Sequence, residues 1–205
     1  MSGRSSLRSA LLLLAACGHS APKQPEADPA AVKALAKKMA DSVPAPAAVR
    51  LCTKADYQGI PTVTFRTVLQ LAGEPLHADP EHADWINPPG LESDAMHAVA
   101  TGDRHAAASL LAAPGWLVYK VDMVNAPIAL GVKELKIGTL GARAIRYSTK
   151  TGLPDCVEVF YVQNDQAKSD WAISKCDRAI IDPAIAKAMR DDLTAQYLTH
   201  APRGQ

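Results

Sequence analysis

Seven side chains with metal-binding or acid–base capacity fall within 29 residues: His77, Asp79, Glu81, His82, Asp84, His97 and His105. The whole chain holds six histidines, so this stretch concentrates them. Neutral imidazole nitrogen and hard carboxylate oxygen together suit zinc or another divalent transition metal, since they can close a tetrahedral or octahedral shell. His77, His82 and Asp84 are the candidate ligands, and a metal-binding protein or metal-dependent hydrolase using the 77–105 region is the chemistry they would support. The spacing does not favour it. There is no H-E-x-x-H, and His77 and His82 lie in a segment broken by Pro75 and Pro80. A solvated, proline-rich loop over residues 76–90, pinned by Trp85 and Ile86, is the plainer expectation. No cofactor is therefore expected, with a divalent metal as the alternative. Other local catalytic patterns are missing: no G-x-S-x-G, no G-x-x-x-x-G-K-[ST], no G-x-G-x-x-G after a strand, and no C-x-x-C. The balance is against an enzyme.

The elements that would position these residues carry clear start signals. Asp28-Pro29-Ala30 and Asp182-Pro183-Ala184 each place an N-capping Asp before a proline suited to the first helical turn. Val32, Leu35, Ala36 and Met39 form an apolar stripe in the first helix, and Ile185, Met189, Leu193 and Tyr197 form one in the last. Residues 65–72 read as a short helix or strand that Gly73 ends, and 91–113 as two helical pieces broken at Gly102-Asp103. The strand candidates are residues 116–124, 128–137, 142–149, 156–162 and 171–176, joined by short turns that suit antiparallel neighbours. The predicted fold class is α+β: an antiparallel β-meander of about five strands packed against N-terminal and C-terminal helices. Lys133, Lys136, Arg143 and Arg146 lie on the middle strands. Alternation sends Arg143 and Arg146 to opposite faces, which predicts a solvated face with edge protection rather than one basic patch.

The N-terminus carries different chemistry. Arg4 and Arg8 precede the apolar run Leu11–Ala16, which is far shorter than the roughly 20 residues a spanning helix needs. Leu14-Ala15-Ala16-Cys17 then resembles the lipobox of bacterial lipoproteins. That resemblance covers residues 1–17 only. It implies that residues 1–16 are a cleaved signal peptide and that Cys17 is lipidated, with enough acyl chains to anchor stably in a membrane. Gly18 follows where enterobacterial lipoproteins retained at the inner membrane typically carry Asp, which implies the outer membrane, facing the periplasm or the cell surface. Residues 17–29 then read as the lipidated Cys and a flexible tether, and 30–205 as a single α+β domain. Loss of Arg4 and Arg8 takes the formal charge from +1 to −1, which gives no bulk field for nucleic acid.

With Cys17 acylated, Cys52, Cys156 and Cys176 remain in an oxidising compartment. The favoured bridge is Cys156–Cys176, across a hairpin of strands 156–162 and 171–176. The same register sets Tyr161 opposite Trp171 and Val159 opposite Ile173 on the other face. Bridging through Cys52, or no bridge at all, is the competing arrangement. Together these readings describe a lipid-anchored envelope lipoprotein with a non-catalytic binding domain. Its partners would be the membrane, through the anchor, and another envelope protein or a small ligand.

Overall fold

The computed structural model describes residues 24–76, 91–177 and 180–203. Helix α1 (Pro29–Asp41) begins as its sequence dictates, with Asp28 Oδ1 accepting from Ala30 N at 2.9 Å and Pro29 in the first turn. Its predicted stripe of Val32, Leu35, Ala36 and Met39 is fully internal. Strands β1 (Arg50–Leu51) and β2 (Thr62–Thr64) are very short, and β2 runs straight into α2 (Phe65–Ala72), which Thr64 caps. Gly73, at φ 74°, ends α2 in the left-handed conformation that glycine adopts without cost. The two expected helical pieces are α3 (Asp94–Ala100) and α4 (Arg104–Ala112), the second capped by Asp103 Oδ1 at 2.8 Å from His105 N and 3.0 Å from Ala106 N.

Five strands make the main sheet. After α4 come β3 (Gly115–Asn125), a separate two-stranded hairpin of β4 (Ile128–Gly131) and β5 (Glu134–Lys136), then β6 (Thr139–Ser148) and β7 (Pro154–Gln163). The main sheet has the order β1-β7-β6-β3-β2. Its centre, β3-β6-β7, is the antiparallel meander that alternation predicts. The edges differ from expectation: β1 runs parallel to β7 and β2 parallel to β3, so the sheet is mixed. Parallel neighbours need long crossovers, and the segments before β3 and β7 supply them. Residues 128–137, expected as one strand of the meander, fold back on themselves instead, with Lys133 in the left-handed region at φ 61° at the turn.

The C-terminal third holds the main correction. Residues 171–176 are not a returning strand. Residues 171–175 belong to helix α5 (Gln166–Lys175) and Cys176 is its C-cap, because Asp165 Oδ1 accepts from Ala167 N at 2.9 Å and Lys168 N at 3.3 Å and starts a helix where a turn was expected. Ser169, Ala172 and Cys176 are then buried at helical spacing, while Trp171 is left 41% exposed. The bridge moves accordingly. Cys156 pairs with Cys52, Cα–Cα 5.0 Å, not with Cys176. The parallel pairing of β1 with β7 carries Cys52 to its partner, and Cys52 N donates to Val157 O at 3.1 Å just beyond the strand. Cys176 is buried at the end of α5, with Sγ 3.7 Å from Gly131 O of the β4–β5 hairpin. Helix α6 (Pro183–His200) starts at Asp182 as predicted and buries Ile185, Met189, Leu193 and Tyr197.

Helices cover both faces of the sheet, where one covered face was expected. Trp116, Val118, Ile145, Tyr147 and Val157 point to the front, against α1–α4. Leu117, Tyr119, Leu140, Ala142, Ala144 and Val162 point to the back, against Leu193 and Tyr197 of α6. A buried Asn164 locks α6 to the sheet: its Oδ1 accepts from Gly138 N at 2.8 Å, and its Nδ2 donates to Met189 O at 2.6 Å and Asp192 Oδ2 at 3.0 Å. Before α1, Ala27 N donates to Arg104 O at 3.0 Å and His105 Nδ1 lies 3.0 Å from Pro25 O. The last residues of the expected tether are therefore held against the start of α4.

Candidate functional site

His77, His82 and Asp84, with Asp79 and Glu81, lie outside the described residues, as does Cys17. The three described histidines have separate local partners. His97 Nε2 is 3.3 Å from Glu92 Oε2, His105 meets the Pro25 carbonyl, and His200 Nδ1 is 2.8 Å from Gln196 O one turn back. Glu92 itself, with a 6% exposed side chain, accepts from Thr64 N at 3.3 Å and Thr64 Oγ1 at 2.7 Å, and also from Thr67 Oγ1. His97 thus borders a carboxylate that satisfies the N-terminus of α2. Among the described residues no group of three or more His, Cys, Asp or Glu side chains is placed to hold a metal ion.

The four expected basic residues also separate. Arg143 faces the front and is almost fully buried: Nη2 donates to Asp122 Oδ1 at 2.7 Å, Nε to the other carboxylate oxygen, and Nη1 to Pro44 O. A β-bulge between Val121 and Met123 turns Asp122 onto this face, where Lys120 Nζ also reaches it at 2.6 Å. Burial alone would raise the Asp122 carboxyl, but the hydrogen bonds from Arg143 and Lys120 outweigh it and hold the group below its ordinary range. Arg146 joins a second network at the other end of the sheet, 3.6 Å from Asp56 and 3.4 Å from Asp155. Arg50 grips Asp56 with two bonds, of 2.9 and 2.6 Å, and Thr53 N donates to it at 2.7 Å; the Asp56 carboxyl is held far below the usual carboxylate range, chiefly by Arg50. Lys133 Nζ donates to Ser174 O at 3.2 Å, fixing the β4–β5 hairpin to α5.

Below the Arg143 clamp no described helix or strand covers the front face. The register places Met123, Gly141 and Tyr161 side by side across β3, β6 and β7, with Val159 in the next row beside Arg143. Tyr161 is 72% exposed, Met123 44% and Val159 38%. A Cβ on Gly141 would come within 2.9 Å of the Tyr161 ring, so the glycine lets that ring lie across the sheet towards Met123. Beyond β1, no described strand pairs with the neighbouring edge of β7 either. Because Val157 O accepts from Cys52 N, alternation directs the backbone groups of Val159, Tyr161 and Gln163 the same way, past the end of β1. No Lys or Pro guards residues 159–163, which are the usual blocks on an edge strand.

The upper back face holds a cleft. One wall is the segment 52–60, the other the end of α6 and the tail through Arg203, and the floor is Glu158 and Tyr119. Tyr57 OH donates to Glu158 Oε2 and Tyr119 OH to Pro202 O, which ties both walls to the sheet. Burial, reinforced by the adjacent Glu158 carboxylate, raises the Tyr57 hydroxyl well above its ordinary value, so it stays a donor. Sequence reasoning missed this cleft, because its residues come from segments far apart in the chain, and only Tyr119 and Glu158 lie on strands that alternation could place. No family model, curated protein or solved structure matches this chain.

Proposed function

We propose that this chain is a lipid-anchored lipoprotein of the bacterial envelope whose folded domain is a non-catalytic binding module, and that its partner docks on the bare front of β3, β6 and β7. The signal-like segment and Cys17 support the anchor. The observation that carries the binding role is the exposed trio of Met123, Val159 and Tyr161 beside an unguarded strand edge. Contiguous exposed apolar surface costs solubility and marks interaction sites. An open edge adds backbone hydrogen bonds, so an extended segment of another envelope protein is the fitting partner.

The anchor also sets geometry. Gln24 is seven residues beyond Cys17. At roughly 3.5 Å per extended residue, acylation at Cys17 holds that point within about 25 Å of the lipid. The test is a photo-crosslinking side chain placed at Tyr161 in the membrane-anchored protein, with a control at exposed Lys168 on α5. A discrete adduct from position 161 alone, lost when Met123 and Val159 become Asp, supports the reading. Equal adducts from both positions, or none from 161, defeats it. Labelled palmitate should enter the wild type and not Cys17→Ala, and its absence from both would remove the anchor.

A further inference from the structure

The back cleft gathers groups whose hydrogen-bonding capacity the fold leaves unused. Its larger chamber, about 390 Å3, is lined by Lys54, Tyr57, Gln58, Glu158, His200 and Arg203, among others. Tyr57 takes one oxygen of Glu158, and Oε1 accepts nothing among the described residues. Arg203 Nη2 donates to Leu198 O at 2.9 Å, which leaves Nε–H and Nη1 uncommitted there. Lys54 Nζ has no ion-pair partner among the described residues. The carbonyl of Gln196 can only accept, so His200 Nδ1 carries the hydrogen and Nε2 is left with a lone pair in the neutral ring. This contrasts with Arg50, Arg143 and Arg146, whose guanidinium groups are all paired with carboxylates.

A second chamber of about 300 Å3 adjoins, with Tyr57 and Arg203 common to both. Its lining is of another character: Ile60, Leu91 and the Tyr119 ring, with Gly59 and Thr62. Each chamber falls at the lower end of the range for small-molecule sites.

We propose that this cleft binds a small zwitterion: a free amino acid, or a short peptide with free termini, that carries an apolar side chain. The carboxylate meets Arg203 and Lys54, the ammonium meets Glu158 Oε1, and the side chain enters the chamber of Ile60, Leu91 and Tyr119. The charges select this class. A purely anionic ligand such as phosphate would face the Glu158 carboxylate, and a cation alone would face Lys54 and Arg203. Only a ligand with both signs leaves neither side unpaired. Tyr57 has a positioning role, since its hydroxyl holds the Glu158 carboxylate from below. The site is separate from the front patch and stands or falls without it.

The experiment is ligand-observed NMR and calorimetry on the full-length protein in detergent micelles. The probes are leucine, methionine and phenylalanine, dipeptides of these, and each in N-acetylated and C-amidated form. At least one unblocked probe should bind saturably, and each blocked form should bind about tenfold more weakly or worse, because it strands a charged partner. The variants sharpen this. Arg203→Ala should lose the preference for acid over amide while keeping that for free over acetylated amine. Glu158→Gln should do the reverse. Arg203 is exposed, so its variant keeps the fold and decides the matter if Glu158→Gln unfolds. No saturable binding by any probe at millimolar concentration overturns the proposal. So does binding that ignores the blocking groups, or that Arg203→Ala leaves unchanged for both acid and amide. Discrimination between free amino acids and dipeptides identifies which source the site serves.

Discussion

Replacing Cys52 by serine removes a cross-link that spans 104 residues of sequence. In the chain-entropy model a closed loop of this length restricts the unfolded ensemble by about 4.7 kcal/mol, against about 3 kcal/mol for a loop of some 15 to 20 residues. The larger figure is a major fraction of the roughly 5–15 kcal/mol by which domains are stable at all. With a urea m-value of about 2 kcal/mol/M, the midpoint should fall by roughly 2.4 M. The assay is urea unfolding followed by tryptophan fluorescence, on wild type with and without reductant and on Cys52→Ser, Cys156→Ser and Cys176→Ser. The first two variants and the reduced wild type should coincide, and combining Cys52→Ser with Cys156→Ser should add almost nothing to either single change. Cys176→Ser keeps a donor near Gly131 O and should shift stability by about 1 kcal/mol or less. Peptide mapping should recover the Cys52–Cys156 pair. A large shift for Cys176→Ser with little for Cys52→Ser, or a mapped Cys156–Cys176 pair, refutes the reasoning.

Asp56 gives a pH signature: its carboxyl is depressed in the folded state, chiefly by the Arg50 hydrogen bonds. Its contribution is thus full above the ordinary aspartate value of about 3.9 and is lost as pH falls through the folded value. Asp56→Asn should destabilise measurably at pH 7, and the gap from wild type in urea midpoints should narrow by pH 3; a constant gap would contradict the pairing. Tyr147 is fully buried, and its hydroxyl has no hydrogen-bond partner among the described residues. Tyr147→Phe should therefore leave stability unchanged or raise it by up to about 1 kcal/mol, and a thermal-melt loss above about 1 kcal/mol would mean that the hydroxyl is satisfied.

The parts of this fold that were legible are those with a local cause. Asp28 and Asp182 cap helices because an Asx side chain before proline has little else to do, and both buried stripes follow from helical period. The long strands β3, β6 and β7 alternate over many residues and announce themselves. β1 has two residues and β2 three, too few for any period, and they are fixed by pairing with strands far along the chain. That is why the bridge through Cys52 was outweighed by a nearer partner. Residues 166–176 were misread for a different reason: Trp171 and Ile173 alternate as a strand would, yet the Asp165 cap and the buried spacing of Ser169, Ala172 and Cys176 favour helix. The exposed patch went unexpected for the same reason, because Tyr161 and Val159 were given partners on residues 171–176, which do not form a strand. The metal candidates His77, His82 and Asp84 fall outside the described residues.

Strand β7 carries both proposed surfaces, and its pleat separates them. Cys156 and Glu158 point to the back, where the bridge closes beside the cleft, while Val159 and Tyr161 point to the front. Successive side chains on a strand share a backbone but not a solvent environment. Changes at position 161 therefore leave the Glu158 carboxylate in place, and Glu158→Gln leaves the exposed tyrosine where it is. Partner capture lost in the first and amino-acid selectivity altered in the second, with no cross-effect, is what two independent surfaces require. Loss of both properties in either variant would mean instead that the lower half of β7 moves as one body and that the two surfaces are coupled through it.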